Sequence, residues 1–360
     1  MQKSKRILVC PLDWGLGHAS RMVPVIYELI NSGHQVIIGA DNSPLDLLRK
    51  EFPNLEYIKF PSFSISYSQG SSQVLSMLLQ LPKIFSGIKK EHLLLKKIIR
   101  DYSIDIVISD NRFGLWNKEI KTIFITHQLK IKMPAGVKIM TEPFAVLNNR
   151  FISKFSECWI PDYPGEMNLS GDLSHNIKRN ASCKFIGPLS RFSYVSAICP
   201  DFNIPEPLEV LIILSGPEPQ REILEKLLLS QIEKEKKNVI IVQGKTQEKI
   251  ITKKENITIV PYLGSAELKY LIEKAEVIIC RSGYSSIMDL VSLKKSAILI
   301  PTPGQTEQDY LAKYLSEKKM FTYSSQDSLN LSELFSVYKN INPFYNSPEN
   351  NLLKDALGGQ

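Results

Sequence analysis

The chain of 360 residues lacks any run of about 18 apolar residues, the length a helix needs to cross a bilayer, so no segment reads as a membrane span. Cysteine is scarce. The five present, Cys10, Cys158, Cys183, Cys199 and Cys280, lie far apart and form no Cys-x-x-Cys pair. That spacing excludes a zinc ribbon and a disulfide framework, and fits a reducing, cytoplasmic setting with thiols that carry no chemistry. No Asp-x-Asp triplet occurs, so a metal–diphosphate clamp has no evident ligands; neither a metal nor a cofactor is expected. Met1 to Arg6 is basic like the start of a signal peptide, but the apolar run behind it, Ile7 to Cys10, is too short for a signal core. The net charge of +7 favours anionic partners without choosing among them, and no nucleic-acid recognition motif accompanies it. No short repeat and no low-complexity tract interrupts the chain.

What remains is the balance of a globular protein, 43% hydrophobic and 22% charged. Ile7 to Cys10 is wholly apolar, as a strand buried on both faces should be. Met22, Val25, Ile26, Leu29 and Ile30 follow at helical spacing, Gly33 supplies a stop, and Gln35 to Ala40 reads as the next strand. Together they make one βαβ unit. Apolar runs at Ile104–Ser109 and Lys121–Thr126 extend the pattern. After the proline-rich stretch Pro200–Pro207 the alternation begins again. Strands are expected at Leu208–Leu214, Val239–Val242, Ile257–Val260, Val277–Cys280 and Ala297–Ile300. Helices are expected at Arg221–Leu229, Glu267–Lys274, Ser285–Leu293 and Gln308–Leu315. The fold class is therefore α/β, with two Rossmann-like, doubly wound parallel sheets. The expected division is 1–188 for the first domain, 189–207 for a linker, 208–341 for the second domain and 342–360 for a tail that folds back on the first.

In such sheets ligands bind beyond the carboxyl ends of the strands, so the informative loops follow each strand. The first is Asp13-Trp14-Gly15-Leu16-Gly17-His18-Ala19-Ser20-Arg21. Its glycines let the backbone approach a ligand, and the helix start favours negative charge. The third glycine of a dinucleotide fingerprint would fall at Ser20, which argues against a nicotinamide dehydrogenase. His18 is a candidate base, or else a residue that only packs the helix start. Asp110 and His127 follow later strands and are candidate catalytic groups, with a structural polar role as the alternative.

In the second half, Ser215, Gly216, Gln220 and Arg221 form a plausible diphosphate cradle at a helix start. Arg281, Ser282, Gly283, Tyr284, Ser285 and Ser286 make a second strand–turn–helix junction, and Asp289 supplies a carboxylate one turn further on. Pro301 to Tyr310 concentrates Gln305, Glu307 and Gln308, which suit sugar hydroxyls.

This set of loops, sharpest between Tyr262 and Tyr314, resembles the GT-B glycosyltransferases. The nearest branch holds the undecaprenyl-pyrophosphoryl-muramoyl-pentapeptide N-acetylglucosaminyltransferase and the UDP-glucuronosyltransferases. The resemblance implies two domains facing across a cleft and a metal-independent, inverting transfer from a nucleotide-sugar, UDP-sugar favoured, to a hydroxyl acceptor. It also implies that the Leu263 backbone meets the base, Ser282 to Ser286 hold the diphosphate, Asp289 the ribose and Gln308 the donor sugar. His18 matches the family's glycine-loop histidine, with Gly17 beside it. Trp-Gly-Leu-Gly-His and Ser215-Gly216-Pro217 depart from the family's denser glycines, which leaves the donor's identity open.

Val74 to Arg100 is oily and basic at once. Leu75, Leu78, Leu79, Leu81, Ile84, Phe85 and Ile88 stand among Lys83, Lys89, Lys90, Lys96, Lys97 and Arg100, with Glu91 the one acidic residue. Such a segment suits an anionic membrane surface and a lipid-linked acceptor of the cell envelope, at the inner face of the membrane. The alternative is a core-facing helix with a solvated basic side. Two other functions remain on the page. A UDP-N-acetylglucosamine 2-epimerase shares the fold, but its Asp-Ser-Gly-Gly stands here as Arg281-Ser282-Gly283-Tyr284. A non-catalytic nucleotide-sugar or lipid-binding module would bind without turnover.

Overall fold

The computed structural model describes residues 4–13, 15–62, 73–132, 141–177, 182–245, 248–338 and 351–358, with the third helix's side chains described from Pro82 onward. Two compact units emerge, one of Met1–Ser190 with Glu349–Gln360, the other Arg191–Pro348.

The first unit runs β1 (Arg6–Cys10), α1 (Leu16–Asn31), β2 (Gln35–Ala40), α2 (Asn42–Glu51), β3 (Glu56–Lys59), α3 (Gln73–Tyr102), β4 (Ile106–Asp110), β5 (Lys121–Ile125), α4 (Thr141–Ile152), β6 (Glu157–Ile160) and β7 (Cys183–Phe185). Its strands are all parallel, in the order β3-β2-β1-β4-β5-β6-β7. The order reverses between β1 and β4, which opens a crevice at their carboxyl ends. Ile7, Leu8, Val9 and Cys10 are fully buried, because helices cover both faces of a parallel sheet. Each such side chain removed from water contributes about 1.5–3 kcal/mol.

The second unit continues with β8 (Val210–Ile213), α5 (Gln220–Glu235), β9 (Val239–Val242), β10 (Thr252–Lys254), β11 (Ile257–Val260), α6 (Ser265–Lys274), β12 (Val277–Cys280), α7 (Tyr284–Ser292), β13 (Ile298–Leu299), α8 (Thr306–Glu317), β14 (Thr322–Tyr323) and α9 (Leu331–Tyr338). The strand order is β10-β11-β9-β8-β12-β13-β14, parallel but for β10 on β11, and it reverses between β8 and β12. The last helix, α10 (Leu352–Gly358), returns to the first unit and packs on α1, where Lys354 Nζ lies 3.7 Å from Glu28 Oε1. All but the first two residues of the expected linker, 189–207, group with the second unit. Within it Lys269 of α6 donates to the carbonyls of Phe192 and Val195, and the Ile198 amide donates to the Ala266 carbonyl.

Three expectations change in detail. Helix α1 starts at Leu16, so Gly17 and His18 belong to its first turn rather than to a loop. Ile30, placed on the buried stripe by spacing, is 38% exposed at the helix end. In α3, Ile88, Glu91, Leu95 and Ile98 are buried, so this part of the helix does face the core. Glu91 is not part of the basic surface: its carboxylate meets the buried Arg112 guanidinium at 3.0 Å. Leu75, Leu78, Leu79 and Leu81 lie outside the described side chains.

Candidate active site

In the first unit the switch point between β1 and β4 carries a connected polar cluster. Gly15, with φ 129°, ends the loop after β1 in a conformation that favours glycine, and α1 begins behind it. His18, partly exposed, stands in the first turn of α1, and Arg21 follows one turn on. Asp110 ends β4 and is fully buried. His18 Nδ1 lies 2.9 Å from Asp110 Oδ2. Arg21 donates from Nε to the same oxygen at 3.0 Å and from Nη2 to Asp110 Oδ1. Burial pushes the Asp110 carboxyl up, but Arg21 and His18 pull harder, and the net shift is below the ordinary carboxylate value.

Arg21 decides the tautomer of the second histidine. A guanidinium only donates, and Arg21 Nη1 lies 3.3 Å from His127 Nδ1, so that nitrogen accepts and a neutral His127 carries its proton on Nε2. Neutral His127 is thus a donor at Nε2 rather than a base. His18 Nδ1 lies 2.9 Å from both Asp110 Oδ2, an acceptor, and Arg21 Nη2, a donor. One nitrogen serves only one of them at a time; Arg21 Nη2 already donates to Asp110 Oδ1, which leaves Nδ1–H for Asp110 Oδ2. In the tautomer that serves Asp110, His18 Nε2 has its lone pair available. Arg21 was not read as a site residue; its one signal in the sequence is its place three residues after His18 on the same helix face.

In the second unit the loops after β8, β12 and β13 adjoin, since those strands are neighbours. Each leads into a helix, α5, α7 or α8, whose N-terminus has no side-chain cap. Three helix starts side by side turn their positive dipole ends to one edge, although at α5 the Glu218 carboxylate already accepts the Glu222 amide at 3.2 Å. Gly216 is exposed with φ 98°, and Ser215 is half-buried beside it. Arg221 turns back, pairing with Glu218 at 2.5 Å and with the Gly244 carbonyl at 3.1 Å.

Several candidates hold loops together instead of pointing outward. Arg281 is 1% exposed; Nη1 donates to the Ile300 and Pro301 carbonyls and Nη2 to that of Gln220. Ser282, fully buried, donates to the Gln308 carbonyl at 2.8 Å. Gln308 accepts the Thr302 amide at 2.8 Å and donates to Gln305 at 2.6 Å. Gly283, Ser285, Ser286 and Glu307 are partly exposed at the helix starts, whereas Tyr284 and the Leu263 side chain are buried. Asp289 is also buried, and its carboxylate lies 3.4 Å from Arg191, a partner that no motif announced because it comes from the stretch ahead of β8.

Residues 210–356 match the Glycosyltransferase family 28 C-terminal domain. An uncharacterized glycosyltransferase of Methanosarcina acetivorans is 22% identical over 89% of this chain and 86% of its own length. The UDP-N-acetylglucosamine--N-acetylmuramyl-(pentapeptide) pyrophosphoryl-undecaprenol N-acetylglucosamine transferase of Caldanaerobacter subterraneus subsp. tengcongensis is 30% identical over 37% of this chain and 39% of its own. Among solved structures, the glycotransferase of kitacinnamycin superposes with a TM-score of 0.65 at 12% identity, covering 99% of this chain and 94% of that one. The fold is GT-B.

Proposed function

We propose, taking as premise that the chain is a glycosyltransferase of GT-B fold with a family 28 C-terminal domain, that it moves a sugar from a nucleotide-sugar to a hydroxyl acceptor by one inverting displacement. The observation that carries the mechanism is the His18–Asp110 pair at 2.9 Å. The buried carboxylate accepts Nδ1–H, so Nε2 takes the acceptor's hydroxyl proton as the oxygen attacks the anomeric carbon. Imidazolium forms, and Asp110 stabilises it. The bond between the anomeric carbon and the diphosphate breaks, and the electron pair leaves on the diphosphate. In the second unit the helix starts of α5, α7 and α8 receive that charge, so fixed dipoles rather than a bound cation stabilise the leaving group. His127, buried and accepting from Arg21 at Nδ1, holds Arg21 in place beside the pair.

A UDP-sugar is the favoured donor, because the Caldanaerobacter relative is named for UDP-N-acetylglucosamine. Asp289 and Gln308 keep their proposed places at the ribose and the donor sugar, and Arg191 must share Asp289 with the ribose. The same relative's name includes pyrophosphoryl-undecaprenol, and α3 suits such an acceptor. Its outer side shows Phe85 at 43% and Leu93 at 58% exposure among exposed lysines. Peripheral contact with an anionic membrane follows.

Thermal stabilisation against UDP, GDP, TDP, CMP and NAD, followed by a UDP-release assay with added acceptor, tests the reading. We expect UDP to raise the melting temperature in proportion to ln[ligand], as mass action requires. His18→Gln should keep that shift and lose turnover. A protein that no nucleotide stabilises, or a His18→Gln variant with unchanged turnover, would overturn it.

A further inference from the structure

Spacing along the chain marks the five cysteines as inert, and folding revises that for two of them. Cys10 and Cys280 lie in central strands, where burial pushes each thiol up to about 12. Cys199 is exposed ahead of β8. Cys158 and Cys183, far apart in sequence, stand opposite each other. Strands β6 and β7 run parallel with Cys158 paired to Cys183, Trp159 to Lys184 and Ile160 to Phe185. Paired residues share a face of the sheet, and both cysteines belong to one apolar cluster with Phe124 and Phe155. Neighbouring strands lie about 4.7–4.9 Å apart, inside the Cα separation of about 4.4–6.8 Å that a disulfide spans. The two thiols are already hydrogen-bonded to each other.

The pair is asymmetric. Cys158 is 1% exposed, whereas Cys183 is only partly buried. The hydrogen bond to Cys183, then burial, then negative charge on Cys183 hold the Cys158 thiol well above its ordinary value. Cys183 therefore loses its proton first, and it is also the sulfur that solvent reaches. Its strand is three residues long and ends the strand order of the first unit. Beyond it the Ile186 amide donates to the Ile160 carbonyl and the Gly187 amide to that of Asp162, and the second unit begins at Arg191. Backbone bonds to one neighbour hold this strand, the arrangement in which local opening costs least.

We propose that Cys158 and Cys183 form a modification site, a dithiol that a small-molecule disulfide converts to an internal disulfide, fastening β7 to β6. The Cys183 thiolate attacks one sulfur of the small disulfide, whose S–S bond breaks. One small thiolate leaves with the electron pair and takes up a proton. Cys158 then gives its proton to water and attacks the Cys183 sulfur, expelling the second small thiol. Two protein thiols lose two electrons in all, and the small disulfide gains them as two thiols. Excess small thiol runs the sequence backwards.

The test treats the full chain, carrying Cys199→Ser to remove the exposed thiol, with oxidised glutathione and then dithiothreitol. Intact mass and peptide mapping should show a Cys158–Cys183 bridge with no glutathione retained, reversed by dithiothreitol. Cys158→Ala in the same chain should stop at one glutathione on Cys183, and Cys183→Ala should leave Cys158 unmodified. Amide exchange in β7 should slow about tenfold or more on oxidation, because a cross-linked edge strand opens less often, and recover on reduction. A glutathione adduct that persists on Cys183 with Cys158 still reduced overturns the proposal, as does a bridge that forms only in denaturant. So does β7 exchange that a formed bridge leaves unchanged. The chain with both cysteines decides all three outcomes, whether or not the alanine variants fold.

Discussion

Asp110 carries three contacts that no single-purpose residue needs: His18 on one oxygen, and Arg21 on both. Replacing it with Asn keeps the shape but offers an amide where Nδ1–H needs a carboxylate, so His18 loses its working tautomer. We expect kcat to fall about 10²–10⁴-fold in Asp110→Asn, with UDP affinity unchanged because the donor loops belong to the other unit; steady-state kinetics with calorimetry checks both. The same residue sets an acid limit on stability. Its carboxyl is held below the ordinary value, so its contribution is complete above about pH 4 and is lost as pH falls through the lower folded value. Denaturant midpoints at about pH 6 and about pH 3 should therefore converge in Asp110→Asn more than in wild type; an equal acid loss in both would refute the assignment. Of this cluster, His18 and Asp110 were legible because polar residues stood where apolar strands stop. Arg21 was not, since an arginine on a helix face ordinarily reads as a solvated charge, and only the fold turns it inward to 2% exposure.

At the level of elements, the central strands were legible because a parallel sheet covered on both faces has nothing polar to bury. Val239–Val242 and Val277–Cys280 are apolar throughout. The edge strands were not. Glu56–Lys59 and Thr252–Lys254 are short and polar, because an edge meets water on one side. Donor-loop roles were legible as a group but not singly: Ser282 and Gln308 look like ligand groups in sequence, and in the fold Ser282 bonds the Gln308 carbonyl while the Gln308 side chain bonds Thr302 and Gln305 of its own loop. Helix α3 shows both expectations at once, a core stripe through Ile88, Leu95 and Ile98, and a basic outer side bearing Phe85 and Leu93. On vesicles rich in anionic lipid we expect flotation of wild type, reduced several-fold in Phe85→Ser/Leu93→Ser and by added salt. Equal flotation of both, or none of wild type, would remove the membrane role of this helix.

Across the whole molecule, the first unit is assembled from two separate parts of the chain, with α10 returning to α1. Leu353, Ala356 and Leu357 are buried there. Truncation before Leu352 should destabilise the first unit by about 2–5 kcal/mol, the loss expected when such apolar side chains leave a core. Hydrogen exchange should show amides of α1 exchanging faster while β8 and β12 stay protected; uniform change, or none, would deny α10 that role. The return was readable only as an expectation, because a seven-residue helix has too few turns to show a stripe. Two buried arginines that clamp loops carry a last consequence. Arg112 and Arg281 grip main-chain oxygens, which every amino acid possesses, so their hydrogen bonds do not depend on the side chains at Pro61, Gln220, Ile300 and Pro301. At Phe60 the Arg112 guanidinium also lies 4.3 Å over the ring. Descendants of such a chain can therefore exchange the exposed Pro61 and the half-buried Gln220 without breaking either clamp: heredity is free to vary the surface there while the frame stays put.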